Sequence, residues 1–136
     1  MKVVADSQAL VRYLVDPARL SEPALDALLQ AEDSDGVIVS AATLGDLWYA
    51  SQKTSSPPVA PGIFEHIRDT VLDPSTNLVV HPISVATMMH FDIVPLNDLR
   101  DPFDRFILAT AVQLGIPLVT TDRAISNTNR RDHLVS

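Results

Sequence analysis

Along the chain, short runs of β-branched and aliphatic residues alternate with longer stretches whose apolar positions recur at helical spacing. The first kind suits buried strands, the second amphipathic helices, and their alternation predicts an α/β domain with a parallel sheet. Val3-Val4-Ala5 is a first strand that stops at Asp6, and a short helix follows over residues 9–14 until Pro17 ends it. Ser21 is placed to cap a helix over 22–32, with Pro23 tolerated in the first turn and Leu25, Leu28 and Leu29 as the buried stripe. After the Asp35-Gly36 turn, residues 37–39 form a second buried strand, and Thr43 opens a helix running through Leu44, Leu47, Trp48 and Ser51. Residues 54–61 hold three prolines and two serines and read as a loop. A helix over 63–72 closes at Asp73-Pro74, a third strand spans 78–83, and a short helix spans 84–90. The clearest helix starts at Asp101-Pro102: Phe103, Phe106, Ile107, Thr110, Ala111 and Leu114 share one face, and Gly115 stands at its end. Residues 117–120 give a fourth strand that leads to Asp122, and 133–135 a short fifth.

Composition bounds this picture without naming a chemistry. The 136 residues fit a single domain, 1–136, that buries roughly two-thirds of its unfolded surface. A hydrophobic fraction of 46% and a mean hydropathy of +0.16 fit a compact soluble globule. No apolar run approaches the ~20 residues of a membrane span. Asp6 comes too early for a signal peptide's apolar stretch, so the expected location is the cytoplasm, with no membrane partner. The absence of cysteine excludes a disulfide framework and a thiolate metal site. The net charge of −7 runs against the strongly basic face usual in nucleic-acid binding. Either the partner is not nucleic acid, or the negative charge is concentrated in metal sites and on a face that meets a basic partner.

Four acids share one local address. Asp6 follows the first strand, Asp122 the fourth; Asp46 lies in the first turn of the helix after the second strand, and Asp104 in the first turn of the long helix. Strand C-termini of a parallel sheet lie along one edge, where ligands bind near the switch point in strand order. Asp104 joins that edge if the loop before its helix rises back to it. Each acid also stands where a helix N-terminus favours one. Asp6 and Asp122 read equally as N-caps, and Thr43-x-x-Asp46 and Asp101-x-x-Asp104 as capping boxes with Asp in place of Glu. Carboxylates crowded together raise one another's pKa unless a cation neutralises them, and oxygen-only donors point to Mg²⁺ or Mn²⁺.

The segments Val3-Val4-Ala5-Asp6-Ser7, Val39-Ser40-Ala41-Ala42-Thr43-Leu44-Gly45-Asp46-Leu47, Asp101-Pro102-Phe103-Asp104-Arg105 with Ile107-Leu108-Ala109-Thr110-Ala111, and Leu118-Val119-Thr120-Thr121-Asp122 occur in that order. Together they resemble the PIN-domain family, specifically its VapC-type toxin branch, over about residues 2–125. The resemblance implies a three-layer α/β/α fold with a central, mostly parallel sheet of four to five strands. It implies a metal-dependent endoribonuclease using Mg²⁺ or Mn²⁺, acting on structured RNA such as tRNA or rRNA, inhibited by a cognate antitoxin and usually homodimeric. By position, Asp6, Asp104 and Asp122 match the first, third and fourth carboxylates of the family's metal site, Ser7 the hydroxyl beside Asp6, Thr120 the hydroxyl that supports Asp122, and Asp101 the helix cap. Asp46 matches the second carboxylate but departs from the family, which usually has Glu there; its reach is shorter by roughly 1.5 Å.

Other residues divide between two roles. Arg12, Arg100, Arg105 and Arg123 lie near the acidic edge in sequence; they grip phosphates, or Arg105 and Arg123 pair with neighbouring aspartates and orient them. Arg130-Arg131 makes a small basic tail. Trp48 and Tyr49 are adjacent and so on different faces of their helix; Trp48 is expected in the core and Tyr49 at a surface groove suited to an antitoxin contact. His66, His81, His90 and His133 show no ligand spacing and are expected to be structural or superficial. Two alternatives compete with the toxin: a PIN nuclease of RNA processing without an antitoxin, and a non-catalytic PIN-like module that binds protein. A phosphoaspartyl enzyme is disfavoured because Gln8 stands where its second acid would be.

Overall fold

Strands with apolar side chains on both faces are stable only between two layers of helix. A computed structural model, describing residues 1–53, 59–121, 123–126 and 134–135, has that arrangement. The strands are β1 (Val3–Ala5), β2 (Val37–Ser40), β3 (Leu78–His81), β4 (Leu118–Val119) and β5 (Leu134–Val135). They form one sheet in the order β3-β2-β1-β4-β5, with every neighbouring pair parallel. The expected three-layer α/β/α fold is therefore present, at the upper end of the expected strand count.

The period-two alternation of each strand divides the core. Val3, Ala5, Val37, Val39 and Val119 face one layer, with α1 (Ser7–Val15), α2 (Glu22–Glu32) and α4 (Pro61–Leu72). Val4, Ile38 and Leu118 face the other, against α6 (Pro102–Leu114) and the buried Val94, Leu99 and Ile125. Completely burying Ile107 and Leu108 of α6 stabilises this second layer by about 1.5–3 kcal/mol each. Gly115, at φ 66°, ends α6 in the left-handed conformation that favours glycine.

Several local expectations shift. The stripe of α2 is Ala24, Leu28 and Ala31, spaced i, i+4, i+7, whereas Leu29 is 50% exposed. Small residues let α2 lie close to its neighbours, and Leu29 falls outside that face. Tyr13 of α1 ties the two helices by donating to Glu32 Oε1; burial first, then that bond, pushes its phenol above the ordinary tyrosine range. The helix after β2, α3 (Ala41–Ser51), begins two residues before Thr43, because Ser40 Oγ accepts from Ala42 N at 3.1 Å and caps it. The 63–72 helix likewise begins earlier, at Pro61 in its first turn, and α5 (Val85–Met88) is shorter than expected, closed at its start by a Ser84–Thr87 capping box.

Two connections position the functional edge. Helix α3 contacts α1 and α4 in one layer and α6 in the other, so it lies across the carboxyl ends of the strands. The chain after β3 passes to α5, where Thr87 Oγ1 donates to Gln113 Oε1 (2.6 Å) near the end of α6. It then climbs back along α6, with Phe91 against Phe106 and residues 91–99 against Arg105. The rise that Asp104 requires is thus present. A final four-residue helix, α7 (Arg123–Ser126), follows β4.

Candidate active site

The strand order reverses direction between β1 and β4, which makes their carboxyl ends the switch point of the sheet. Asp6 leaves β1 there, and Thr120 leaves β4. Asp6 is 1% exposed and extended in backbone; its Oδ1 accepts from Ala9 N at 2.7 Å, capping α1, and its Oδ2 accepts from the Thr120 hydroxyl. Its own N–H donates to Val119 O (3.0 Å), while Thr120 N–H donates to Val135 O (2.9 Å). The carboxylate is therefore fixed across the crevice by two strands and a helix terminus. Capping α1 does not exclude a second role, because a carboxylate oxygen can accept more than one hydrogen bond.

Asp46 is not a capping residue. With Ser40 as N-cap it falls in the second turn of α3, half-buried, where it lines an open cleft of about 210 Å³. Ser7, Arg12 and Arg19 line the same cleft, with Leu47 and Val59 as its apolar wall. Ser7 Oγ is buried without a hydrogen-bond partner, as is Thr43 Oγ1 on α3. Buried hydroxyls are rarely left unsatisfied, and an unpaired one at a cleft wall beside Asp6 is a ready donor or acceptor for something bound there.

Asp104 occupies the third position of α6, half-buried; Asp101 caps the helix, accepting from Phe103 N (2.8 Å) and Asp104 N (3.3 Å). Helix α6 packs closely on α3 at Gly45, where a β-carbon would lie a tight 3.3 Å from Phe103 Cε1. A mid-helix glycine costs about 1 kcal/mol relative to alanine, and that oddity was a sequence signal of close packing beside Asp46.

Arg105 corrects both of its expected roles. It is 8% exposed, and its guanidinium donates to four backbone carbonyls: Phe91 (2.8 Å), Val94 (2.6 Å), Pro95 (3.1 Å) and Leu99 (2.8 Å). A guanidinium so occupied neither grips phosphate nor orients an aspartate; it clamps the segment leading into α6 and so supports Asp104 indirectly. Arg100 is exposed and donates to Asn97 Oδ1 at 2.9 Å. Trp48 also departs from expectation: it is 45% exposed and Tyr49 61%, so both rings lie on the surface. The turn of α3 that meets the core does so through Leu47 and Ser51 instead. Among the histidines, His66 is exposed and His90 half-buried, while His81 ends β3 with its Nε2 buried and unpartnered. Asp122, the Arg123 side chain, Arg130-Arg131 and His133 lie outside the described residues.

Among the described residues, no three acidic, histidine or cysteine side chains form a group that could hold an ion. Of the predicted ligands, Asp46 lines the cleft with the Ser7 hydroxyl, while Asp6 and Asp104 are not among its lining residues; all of them offer oxygen donors only. That donor chemistry fits a hard divalent cation such as Mg²⁺ or Mn²⁺ rather than a soft metal.

The fold has counterparts among solved structures. The chain is similar to VapBC2 of Rickettsia felis, solved bound to a DNA fragment from its promoter, with a TM-score of 0.66, 13% identity, and 95% of this chain and 94% of that one covered. It is also similar to a toxin–antitoxin complex of Klebsiella pneumoniae, with a TM-score of 0.58, 16% identity, and 98% and 96% covered. In sequence, Ribonuclease VapC22 of Mycobacterium tuberculosis is 31% identical over 129 residues, 90% of this chain and 88% of that protein. The PIN domain matches residues 3–131. Nearly the whole chain is thus accounted for by one family, and this protein belongs to the PIN domains, in their VapC branch.

Proposed function

We propose that this protein is a metal-dependent endoribonuclease of the toxin type, hydrolysing RNA phosphodiester bonds at the carboxyl edge of its sheet. The observation that carries the reading is the immobilised Asp6 carboxylate at the switch point, beside the unpartnered Ser7 hydroxyl on the cleft that Asp46 also lines. The similarity to a named ribonuclease supports it. Asp6 and Asp104 are the direct ligands in this reading, and Asp46 and Asp122 complete the acidic pocket. A bound Mg²⁺ or Mn²⁺ supplies Lewis acidity toward the scissile phosphate and acidifies a water for attack. The protein's part is preorganisation: the Ala9 N–H and Thr120 hydroxyl hold Asp6 in place before substrate arrives. Arg12 and Arg19, on the same cleft, offset the acids and meet phosphate oxygens.

Chelation of divalent ions is expected to abolish cleavage of total RNA by the purified protein, and added Mn²⁺ to restore it. Asp46→Glu holds or raises that activity, because the open cleft accommodates one more methylene and the carboxylate regains the family's reach. Cleavage undiminished by chelation would rule out the metal mechanism; a sharp loss in Asp46→Glu would show a pocket adapted to Asp.

The partner in this reading is a cognate antitoxin, supported by the toxin–antitoxin assembly among the structural neighbours. A homodimer is supported by the exposed Val79 of edge strand β3 and by Ile83, Val85, Met88 and Met89 around α5. Sedimentation equilibrium is expected to give twice the chain mass, and Met89→Asp the single mass; a monomeric wild type removes the dimer. No helix of the described residues is long and apolar enough to cross a membrane.

A further inference from the structure

We infer that Trp48, Tyr49 and Phe103 form a stacking platform on which bases of a single-stranded RNA segment lie while its backbone enters the cleft lined by Asp46, Arg12 and Arg19. The inference rests on the ribonuclease reading and adds how the substrate is held. The rings make one connected surface: Trp48 meets Tyr49 edge-on with centroids 5.0 Å apart, and Tyr49 tilts against Phe103 at 5.7 Å. Trp48 and Tyr49 are largely exposed, though rings of this size bury readily in a small domain.

Their placement ties them to the site. Tyr49 lies one helical turn beyond Asp46, and Phe103 immediately precedes Asp104. Gly45 admits Phe103 to this seam, so the platform bridges the two helices that carry the acids. Asp46, Leu47 and Ala50 of the same helix line the 210 Å³ cleft, whereas the three rings do not.

Charge selects the occupant. A chain of net charge −7 repels a polyanion as a whole, and Arg12 and Arg19 are the cations that line the cleft, Arg105 being committed to backbone carbonyls. Phosphate contacts alone then hold RNA poorly, whereas base–aromatic stacking is uncharged and tolerant of sequence.

Trp48 is the sole tryptophan, so its fluorescence reads the platform directly. With Asp6→Asn protein, which binds without cutting, a short single-stranded oligoribonucleotide of mixed sequence is expected to quench that fluorescence saturably. The same oligonucleotide made of abasic residues should not. In the otherwise wild-type enzyme, Tyr49→Leu raises KM for RNA about tenfold with kcat nearly unchanged, and Tyr49→Phe restores KM. Equal quenching by the abasic strand, or an unchanged KM in Tyr49→Leu, overturns the platform. So does a Tyr49→Leu defect confined to binding an antitoxin protein, which would make this surface a protein interface. Quenching by a wild type that never cleaves RNA would instead keep the platform and sink the ribonuclease reading.

Discussion

Asp6→Asn is expected to lower metal-dependent RNA cleavage roughly a thousandfold while the fold survives with stability changed by about 1 kcal/mol or less. The two parts have separate causes. Asparagine is as good an N-cap as aspartate, and its carbonyl oxygen can still accept from Ala9 N. Its amide group meets the Thr120 hydroxyl, which rotates to accept instead of donate. What disappears is the negative charge at the switch point, which in the proposed site attracts the divalent cation. Cleavage with Mn²⁺, measured beside urea unfolding, separates the effects. Full activity in a folded Asp6→Asn protein would remove Asp6 from the metal site. Should that variant unfold, Asp104→Asn repeats the test at a half-buried position.

Arg105→Leu is expected to cost about 3–5 kcal/mol of stability, the largest structural effect of any single change considered. Its guanidinium satisfies four carbonyls of residues 91–99 while itself nearly buried, and leucine leaves all four without that donor. The stacking of the guanidinium over the Phe91 ring, 5.7 Å from its centroid, is lost as well. Against a typical total of 5–15 kcal/mol the loss is severe. Arg105→Lys keeps a charge and up to three donors but not the planar fork, so it recovers only part. The shift in urea midpoint reads the cost, and faster amide exchange across residues 96–101 reads the released segment. A midpoint like that of the wild type would show that the clamp is dispensable.

The elements were legible where local chemistry and tertiary demand coincide. Ser21, Asp101 and Gly115 bound their helices as their side-chain and backbone preferences dictate, and the β-branched runs became strands because both sheet faces are covered. Thr43 misled because two hydroxyl residues compete to cap α3, and the end of β2 puts Ser40 in the extended conformation a cap needs. Arg105 misled for a different reason. A guanidinium serves carboxylate, phosphate and carbonyl alike, and only the path of residues 91–99 chooses among them.

Sequence by itself determined the α/β class, the parallel sheet and the order in which the aspartates meet the chain, since those follow from hydrophobic period and local propensity. The family resemblance carried by those motifs led to the same fold. Tertiary structure alone decided that Asp6 is locked to Thr120 across 114 positions, that Asp46 lines a cleft instead of capping a helix, and that Trp48 and Tyr49 stay at the surface. Each of these depends on which elements become neighbours in space. Local preference ranks the conformations of a segment, but it carries no information about what lies across the sheet edge.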